Sequence, residues 1–468
     1  MAVVCKVQDN ARLAEQNPSV ELKHDQFFNQ LFEQEYSHLE QQGHTYLDYT
    51  GGGIYGASQL QKHFELLKQN TFGNPHSTNP TSQHATNLVK DTRKAIIEYF
   101  SAYDYYCIFT QNASSAIKIV GECYPFNEKS QLLLLADNHN SVNGLRSYCC
   151  NKGGTYEYTD LQEDLTINRL QLRTQLTQPN NTHQRLFAFP AQSNVSGVKH
   201  NLDWIPLAQR EGWDVLLDAA AFVPTSPLDL SIIQPDFVSL SFYKMFGYPT
   251  GIGCLLVKKP KFDKLIKPWF AGGTVRLASV RTNRHFLADN HERFENGTVD
   301  YLSIPAVKIG LDFINQIGIE RINSRIASLS EYLYCELQKI RHITGQSVVQ
   351  MYGPENRKEV GGTITMNFYD ALRKRYHFQS IEDQANKRSI SIRSGCFCNP
   401  GIDETQQNIY TTELEDYFVS HQESSYQEIA TQLGHVRGAV RISVGVATRK
   451  KDLDYFLDFV RLFKNKTQ

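Results

Sequence analysis

Two charged side chains each close an apolar run. In WDVLLDAAAF the carboxylate of Asp218 follows an aliphatic strand pattern, and 26 residues later DFVSLSFYKMFGYPTGIG brings Lys244 to the start of a glycine-rich turn. Ligands of open α/β sheets bind at the carboxyl ends of strands, so a charge placed there faces a ligand. A lysine amine held near neutral pKa by partial burial can form an imine with a carbonyl group. An acid beside it can keep a ring nitrogen protonated and so make an aromatic ring an electron sink. Taken singly, Asp218 reads as a cap or turn residue and Lys244 as a solvated surface residue. Their order at two strand ends favours the chemical reading, and spacing alone leaves it open.

A second candidate is ISIRSGCFCNPG. Gly395, Pro400 and Gly401 suit a loop with unusual backbone angles. A cysteine there acts as a nucleophile once it is a thiolate, which a nearby cation such as Arg393 favours. Cys396 and Cys398 could instead bind a metal as a Cys-x-Cys pair, although no second ligand pair at zinc spacing follows. They could also be inert loop residues. The adjacent Cys149 and Cys150 read as structural, and Gly251–Gly253 is too short a match for a dinucleotide fingerprint.

The elements that must position these residues alternate. YCIFT, LLLLAD, RLFAFP, WDVLLD, DFVSLSF and GCLLV are short apolar runs separated by amphipathic stretches, one of them through Ala116 to Glu122. Runs apolar at consecutive positions mark strands covered on both faces, and the alternation predicts a doubly wound α/β sheet. Residues 11–42 carry Leu22, Phe27, Phe28, Leu31 and Phe32 at helical spacing and predict one or two lead-in helices. After FENGTVDYLSIP, one long helix is expected from Ala306 to about Arg341. Strand candidates GGTITMNF, RSISIR and GAVRISVG and the helix DLDYFLDFVRLF follow, a smaller α+β unit. The stretch 403–428 is polar and aperiodic and predicts a long loop or lid. The expected division is 1–45 lead-in, 46–305 large domain and 306–468 small domain carrying the cysteine loop.

Composition narrows the partners. With 41% hydrophobic and 21% charged residues, and 48 basic against 49 acidic side chains, a globular protein is expected and nucleic acid or anionic membrane is not. The longest aliphatic run, Leu132 to Ala136, is far short of a membrane span. MAVVCKVQDNARLAEQ lacks a basic flank before an apolar stretch, so no secretory signal is expected. Nine cysteines at irregular spacing cannot all pair, which suggests a reducing compartment, with cytoplasmic localisation the expectation.

The SFYK-MFG-PTGIG stretch with the upstream LDAA resembles the lysine region of fold-type I pyridoxal 5'-phosphate (PLP) enzymes of aminotransferase class V, in their cysteine-desulfurase branch, and the resemblance runs from about Tyr46 to Leu462. It implies a PLP-dependent transferase fold, a large domain with a mostly parallel seven-stranded-type sheet plus a smaller α+β domain. Lys244 would hold the cofactor as a Schiff base and Asp218 would partner the pyridinium nitrogen. His139, in LLLADNHNSV, would stack on the ring and move protons. Asn194, in FPAQSNVSG, would contact the phenolic oxygen. The turn FTQNASSAIK would cup the phosphate through the Ala113 and Ser114 amides and the Ser114 hydroxyl, at a helix start that favours anions. Ser241 and Tyr243 would add phosphate contacts, and Thr298, in FENGTVDY, would reach the neighbouring subunit's phosphate, which implies a homodimer.

Within that branch the Arg–small–Gly–x–x–Cys pattern makes Cys398 the persulfide-forming nucleophile acting on L-cysteine, with L-alanine as product. Arg441, in GAVRISVG, would clamp the substrate carboxylate with paired donors that lysine lacks, and Arg393 would assist. GCFCNPG, FPAQSN and SFYKMFGYPTG resemble the N-terminal desulfurase domain of molybdenum-cofactor sulfurases in particular. Three departures qualify the match. Ala221 stands where many desulfurases have a polar residue. Tyr243 stands where iron–sulfur desulfurases have histidine. No C-terminal domain for binding the molybdenum cofactor is expected after the PLP-binding region. The sulfur acceptor is therefore expected to be the molybdenum cofactor or a separate acceptor protein. The alternatives are a class V PLP lyase, epimerase or aminotransferase acting on another amino acid, and a sulfur carrier without turnover.

Overall fold

The structure, a computed structural model, describes residues 22–179, 184–407, 411–420 and 438–468. All six apolar runs form strands of one seven-stranded sheet. In space its order is Tyr105–Thr110, Gly253–Lys258, Phe237–Ser241, Asp214–Asp218, Gln184–Pro190, Ser130–Leu135 and Thr155–Thr159. Gly253–Lys258 runs antiparallel to both neighbours, and the remaining adjacent pairs are parallel. The edge strand Thr155–Thr159 is exposed over most of its length, which is why no apolar run announces it.

Side chains alternate between two cores. Leu133, Leu135, Phe187, Phe189 and Leu217 pack on one face with the helices Pro80–Tyr99, Arg169–Thr177 and Trp204–Arg210. Leu132, Leu134, Leu186 and Leu216 pack on the other with Ala113–Cys123 and Leu145–Asn151. Each such leucine contributes about 1.5–3 kcal/mol by leaving water, so the consecutive apolar positions are the cost of covering both faces.

The C-terminal third carries a second sheet, ordered Val349–Tyr352, Thr363–Phe368, Ala439–Ser443 and Arg393–Gly395, antiparallel throughout. Its last pairing sets Arg393 directly opposite Arg441. Two expectations fail here. The long helix from residue 306 is two helices, Ile304–Ile317 and Ile319–Lys339, because Gly318 takes φ 89°, a value that ends a helix. The stretch expected as a loop is helical over Pro400–Gln407 and Thr411–Ser420. Its apolar anchors, Ile402 and Tyr417, are buried but too sparse to read as a period. Residues 408–410 and 421–437 lie outside the described residues.

Of the lead-in, residues 1–21 also lie outside. Asp25–Glu35 and Ser37–Gln41 are helices, with Phe28 and Phe32 buried. The chain then pairs Thr45–Tyr46 in parallel with Ile390–Ser391, and Asp48 bridges Ser443. The segment entering the large sheet is thus stitched first to the small one. Among the described residues no helix is long and apolar enough to cross a membrane.

Candidate active site

Strand ends of the large sheet supply one wall. Asp218 is the last residue of its strand, and its Oδ1 accepts from the Ala220 N–H at 3.1 Å and the Ser239 hydroxyl at 3.0 Å. Ser241 likewise ends its strand and accepts from the Ala113 N–H at 2.8 Å. The first amide of the Ala113–Cys123 helix is therefore already held. Asn112 caps that helix through the Ser115 N–H at 2.9 Å. The short helix Phe242–Phe246 carries Tyr243 and Lys244. Burial pushes the Lys244 amine below the usual lysine range; Asp218 opposes that shift, and Arg441 and Arg393 add to it.

His139 follows the Ser130–Leu135 strand. Its Nδ1 accepts the Ser141 N–H at 3.1 Å, which leaves Nε2 to carry the proton of a neutral ring. Burial holds the imidazole pKa down, with Asp218 opposing and Lys244 and Arg441 reinforcing. The Ser141 hydroxyl lies 2.5 Å from that of Ser114, linking the histidine turn to the helix start at Ala113.

The opposite wall comes from the small sheet and the cysteine loop. Arg441, 3% exposed, donates from Nη1 to the Asn194 carbonyl at 2.7 Å and from Nη2 to Asp48 Oδ1 at 2.8 Å, while its Nε is buried without a partner. Arg393 donates from Nε at 2.9 Å and Nη2 at 2.7 Å to Asp48 Oδ2. Arg393 is thus committed to a carboxylate rather than standing by as a free cation for a thiolate.

In the loop, Phe397 and Cys398 adopt φ 56° and 54°, a left-handed conformation uncommon for such residues. The Cys398 carbonyl accepts the Asn140 N–H at 2.7 Å, beside His139. The Phe397 carbonyl accepts from Asn194 Nδ2 at 2.8 Å, and its ring lies 4.8 Å from the Arg441 guanidinium. Beneath them Asn399 Nδ2 donates to Asp137 Oδ1 at 2.8 Å and to Asn194 Oδ1 at 3.1 Å. Asp137 also accepts from the Ser193 hydroxyl at 2.7 Å and pairs with His200 Nε2 at 2.9 Å. The Cys398 side is exposed and Cys396 is half-buried.

The residues singled out in the sequence thus gather at one place: Ala113, Ser114, His139, Asn194, Asp218, Ser241, Tyr243 and Lys244 on the large sheet, Arg393, Cys398 and Arg441 across from them. Thr298 stands apart. It is exposed and lines an open cavity with Gln111, Ser115 and Gly251. Ala221 lines a small cavity with Lys244, Thr50 and Gln192, whose buried Oε1 has no partner. Asp48, Asp137 and Asn399 escaped the sequence reading. For Asp48 the available signal was an acidic residue three positions before a glycine run, LDYTGGG.

The chain matches the aminotransferase class-V family over residues 45–456. Among curated proteins, the molybdenum cofactor sulfurase of Arabidopsis thaliana is 34% identical over 458 residues, covering 89% of this chain and 56% of that protein. The Homo sapiens molybdenum cofactor sulfurase is 33% identical, covering 92% and 51%. The chain spans about half the length of the curated relatives it matches. Among solved structures, an apo cysteine desulfurase from Thermococcus onnurineus NA1 superposes with TM-score 0.77 at 22% identity, over 93% of this chain and 97% of that one. The cysteine desulfurase CsdA from Escherichia coli gives 0.73 at 17%, over 92% and 97%. These likenesses establish the same fold. The match over most of its length, with the strand-end site it contains, makes this chain a member of the aminotransferase class-V family.

Proposed function

We propose that the chain is a PLP-dependent cysteine desulfurase that takes sulfur from L-cysteine onto Cys398. The observation that carries this reading is the docking of the cysteine loop on the strand-end site, with the Cys398 carbonyl on the Asn140 N–H next to His139. The residues fit PLP. Lys244 has an amine whose pKa burial has pushed down, as imine formation requires. Asp218 has one oxygen fixed by two donors, leaving the other for a ring N–H. Ser114, at the start of the Ala113–Cys123 helix, suits a phosphate, with the Ala113 amide held by Ser241, whose hydroxyl proton remains to be donated. When bound, PLP supplies the electron sink for cleavage next to the amino acid's α-carbon.

The chain's own groups do the rest. Arg441 binds the substrate carboxylate through the N–H groups that its bonds to Asn194 and Asp48 leave over, the unpartnered Nε among them. His139 moves protons at Nε2, its Nδ1 being held by Ser141. Asp218 keeps a proton on the ring nitrogen. The Cys398 thiolate attacks the substrate sulfur. A sulfur–sulfur bond forms, the carbon–sulfur bond breaks, and its electron pair with a proton completes L-alanine, leaving a persulfide on Cys398. Asn194 and Tyr243 serve as cofactor contacts. The exposed Thr298 suits contact with a second copy, so the working form is a homodimer. The acceptor is the molybdenum cofactor, as the names of the curated relatives suggest, or an acceptor protein. A reducing compartment such as the cytoplasm keeps such a thiol active.

The test is the visible absorption spectrum of purified protein before and after L-cysteine, with L-alanine measured for wild type and Cys398→Ser. An imine band perturbed by cysteine, with L-alanine from wild type alone, supports the reading. A band indifferent to cysteine, or L-alanine formation unaffected by Cys398→Ser, moves the chain to another PLP reaction. Absence of a band after PLP is supplied overturns it.

A further inference from the structure

Arg393 and Arg441 face each other across an antiparallel strand pair. Like charges directly opposite repel, and Arg441 is almost fully buried, where a charge must be matched. Asp48 is the match. One of its oxygens takes two donors of Arg393 and the other takes Arg441. The space is reserved for it, because a Cβ on Gly51 would overlap both the Asp48 carboxylate and the Arg393 guanidinium. Its backbone is fixed as well, through the bridge to Ser443 and the Thr50 N–H bond to the Ser443 hydroxyl at 2.8 Å. Two guanidiniums and one carboxylate leave the cluster a single positive charge, and Arg441 keeps N–H groups without an acceptor, Nε among them.

We propose that Asp48 is a positioning and specificity-determining residue that sets the charge of the arginine cluster at plus one, so that the cluster neutralises an amino acid bearing one carboxylate and disfavours one bearing two. This rests on the reading of Arg441 as the substrate clamp. With Asp48 present, one carboxylate completes the charge balance and a second negative group finds none. Removing Asp48 leaves two uncompensated guanidiniums, which a dicarboxylate matches. Removing Arg393 instead cancels Arg441 against Asp48 and leaves the cluster without a net charge to attract a carboxylate. Removing both restores plus one.

The test is equilibrium binding of L-alanine and L-aspartate to PLP-loaded wild type, Asp48→Asn, Arg393→Gln and the double variant, followed by titration calorimetry. Asp48→Asn should shift the preference towards L-aspartate by about tenfold, which is about 1.4 kcal/mol. Arg393→Gln should weaken L-alanine by about tenfold, and the double variant should return to within about threefold of wild type. A merely structural Asp48 predicts a double variant weaker than either single, and that result, or an unchanged preference in Asp48→Asn, overturns the proposal. If Asp48→Asn does not fold, the charge-balanced double variant and Arg393→Gln decide alone: recovery of L-alanine binding supports the proposal, and continued loss overturns it. Wild type that binds neither amino acid removes Arg441 as the clamp and the functional reading with it, whereas L-alanine binding without the charge pattern removes this inference only.

Discussion

Asp218 ends, and Lys244 closely follows, a strand paired on both sides within the large sheet. Cys398, which by the proposed reaction meets the same substrate, lies in a left-handed turn held by side-chain amides and a single carbonyl contact to Asn140. The strand-end floor is positioned by backbone pairing, which no single side chain supplies. The loop is positioned by side chains, and each can be removed. Damage to the floor should therefore spare the fold and abolish chemistry, whereas damage beneath the loop should cost stability or sulfur transfer separately.

Lys244→Ala sharpens this contrast most. L-cysteine turnover should fall at least about 10³-fold while the far-UV circular dichroism and the cooperative melt persist. Collapse of the fold would show that the floor also depends on this side chain. Asp137→Ala should act the other way round. It takes the buried acceptor from Ser193 and His200 and leaves Asn399 only Asn194 and a backbone carbonyl, and should cost about 3–5 kcal/mol in denaturant unfolding; a cost below about 1 kcal/mol would mean the loop anchor carries no weight. Asn399→Ala removes only the strap from the loop to Asp137 and Asn194. Its expected stability cost is about 1–3 kcal/mol, with L-alanine formation falling about tenfold and L-alanine binding unchanged. Parallel losses in both would merge the two regions.

The smallest effect concerns pH. Folding lowers the Lys244 pKa, so the unfolded chain binds the extra proton between the depressed value and about 10.4. Stability of the cofactor-free protein from this group therefore rises with pH through that window. Lys244→Met should be the more stable protein at low pH, with its advantage shrinking to nothing near pH 10.4. A pH-independent difference between the two melts would contradict the burial of the amine.

The floor was legible in the sequence because each of its residues closes an apolar run: Asp218 after WDVLL, Ser241 and Lys244 after DFVSL, His139 after LLLLAD. Strand periodicity and the rule for strand ends act locally, and local pattern carries them. Asp48, Asp137 and Asn399 gain their roles from partners 393, 63 and 262 residues away respectively, and no window of sequence contains such a pair. The break at Gly318 was visible as a residue type, but whether a glycine is tolerated inside a helix or ends one depends on the packing of the flanking helices. The helices at Pro400–Gln407 and Thr411–Ser420 have too few buried anchors for a period to emerge.

The 393-residue separation between Asp48 and Arg441 also sets an order of assembly. A nascent chain that has left the ribosome as far as Lys258 possesses every strand of the large sheet and neither Arg393 nor Arg441. Domains fold as they emerge, so the floor can form while Asp48 waits, its carboxylate solvated. The cluster of Asp48, Arg393 and Arg441 is complete only when the Ala439–Ser443 strand arrives to pair with Arg393–Gly395. On the proposed reading, a growing chain is shaped to receive its cofactor while still unable to hold the amino acid, so that unfinished copies would not generate reactive sulfur.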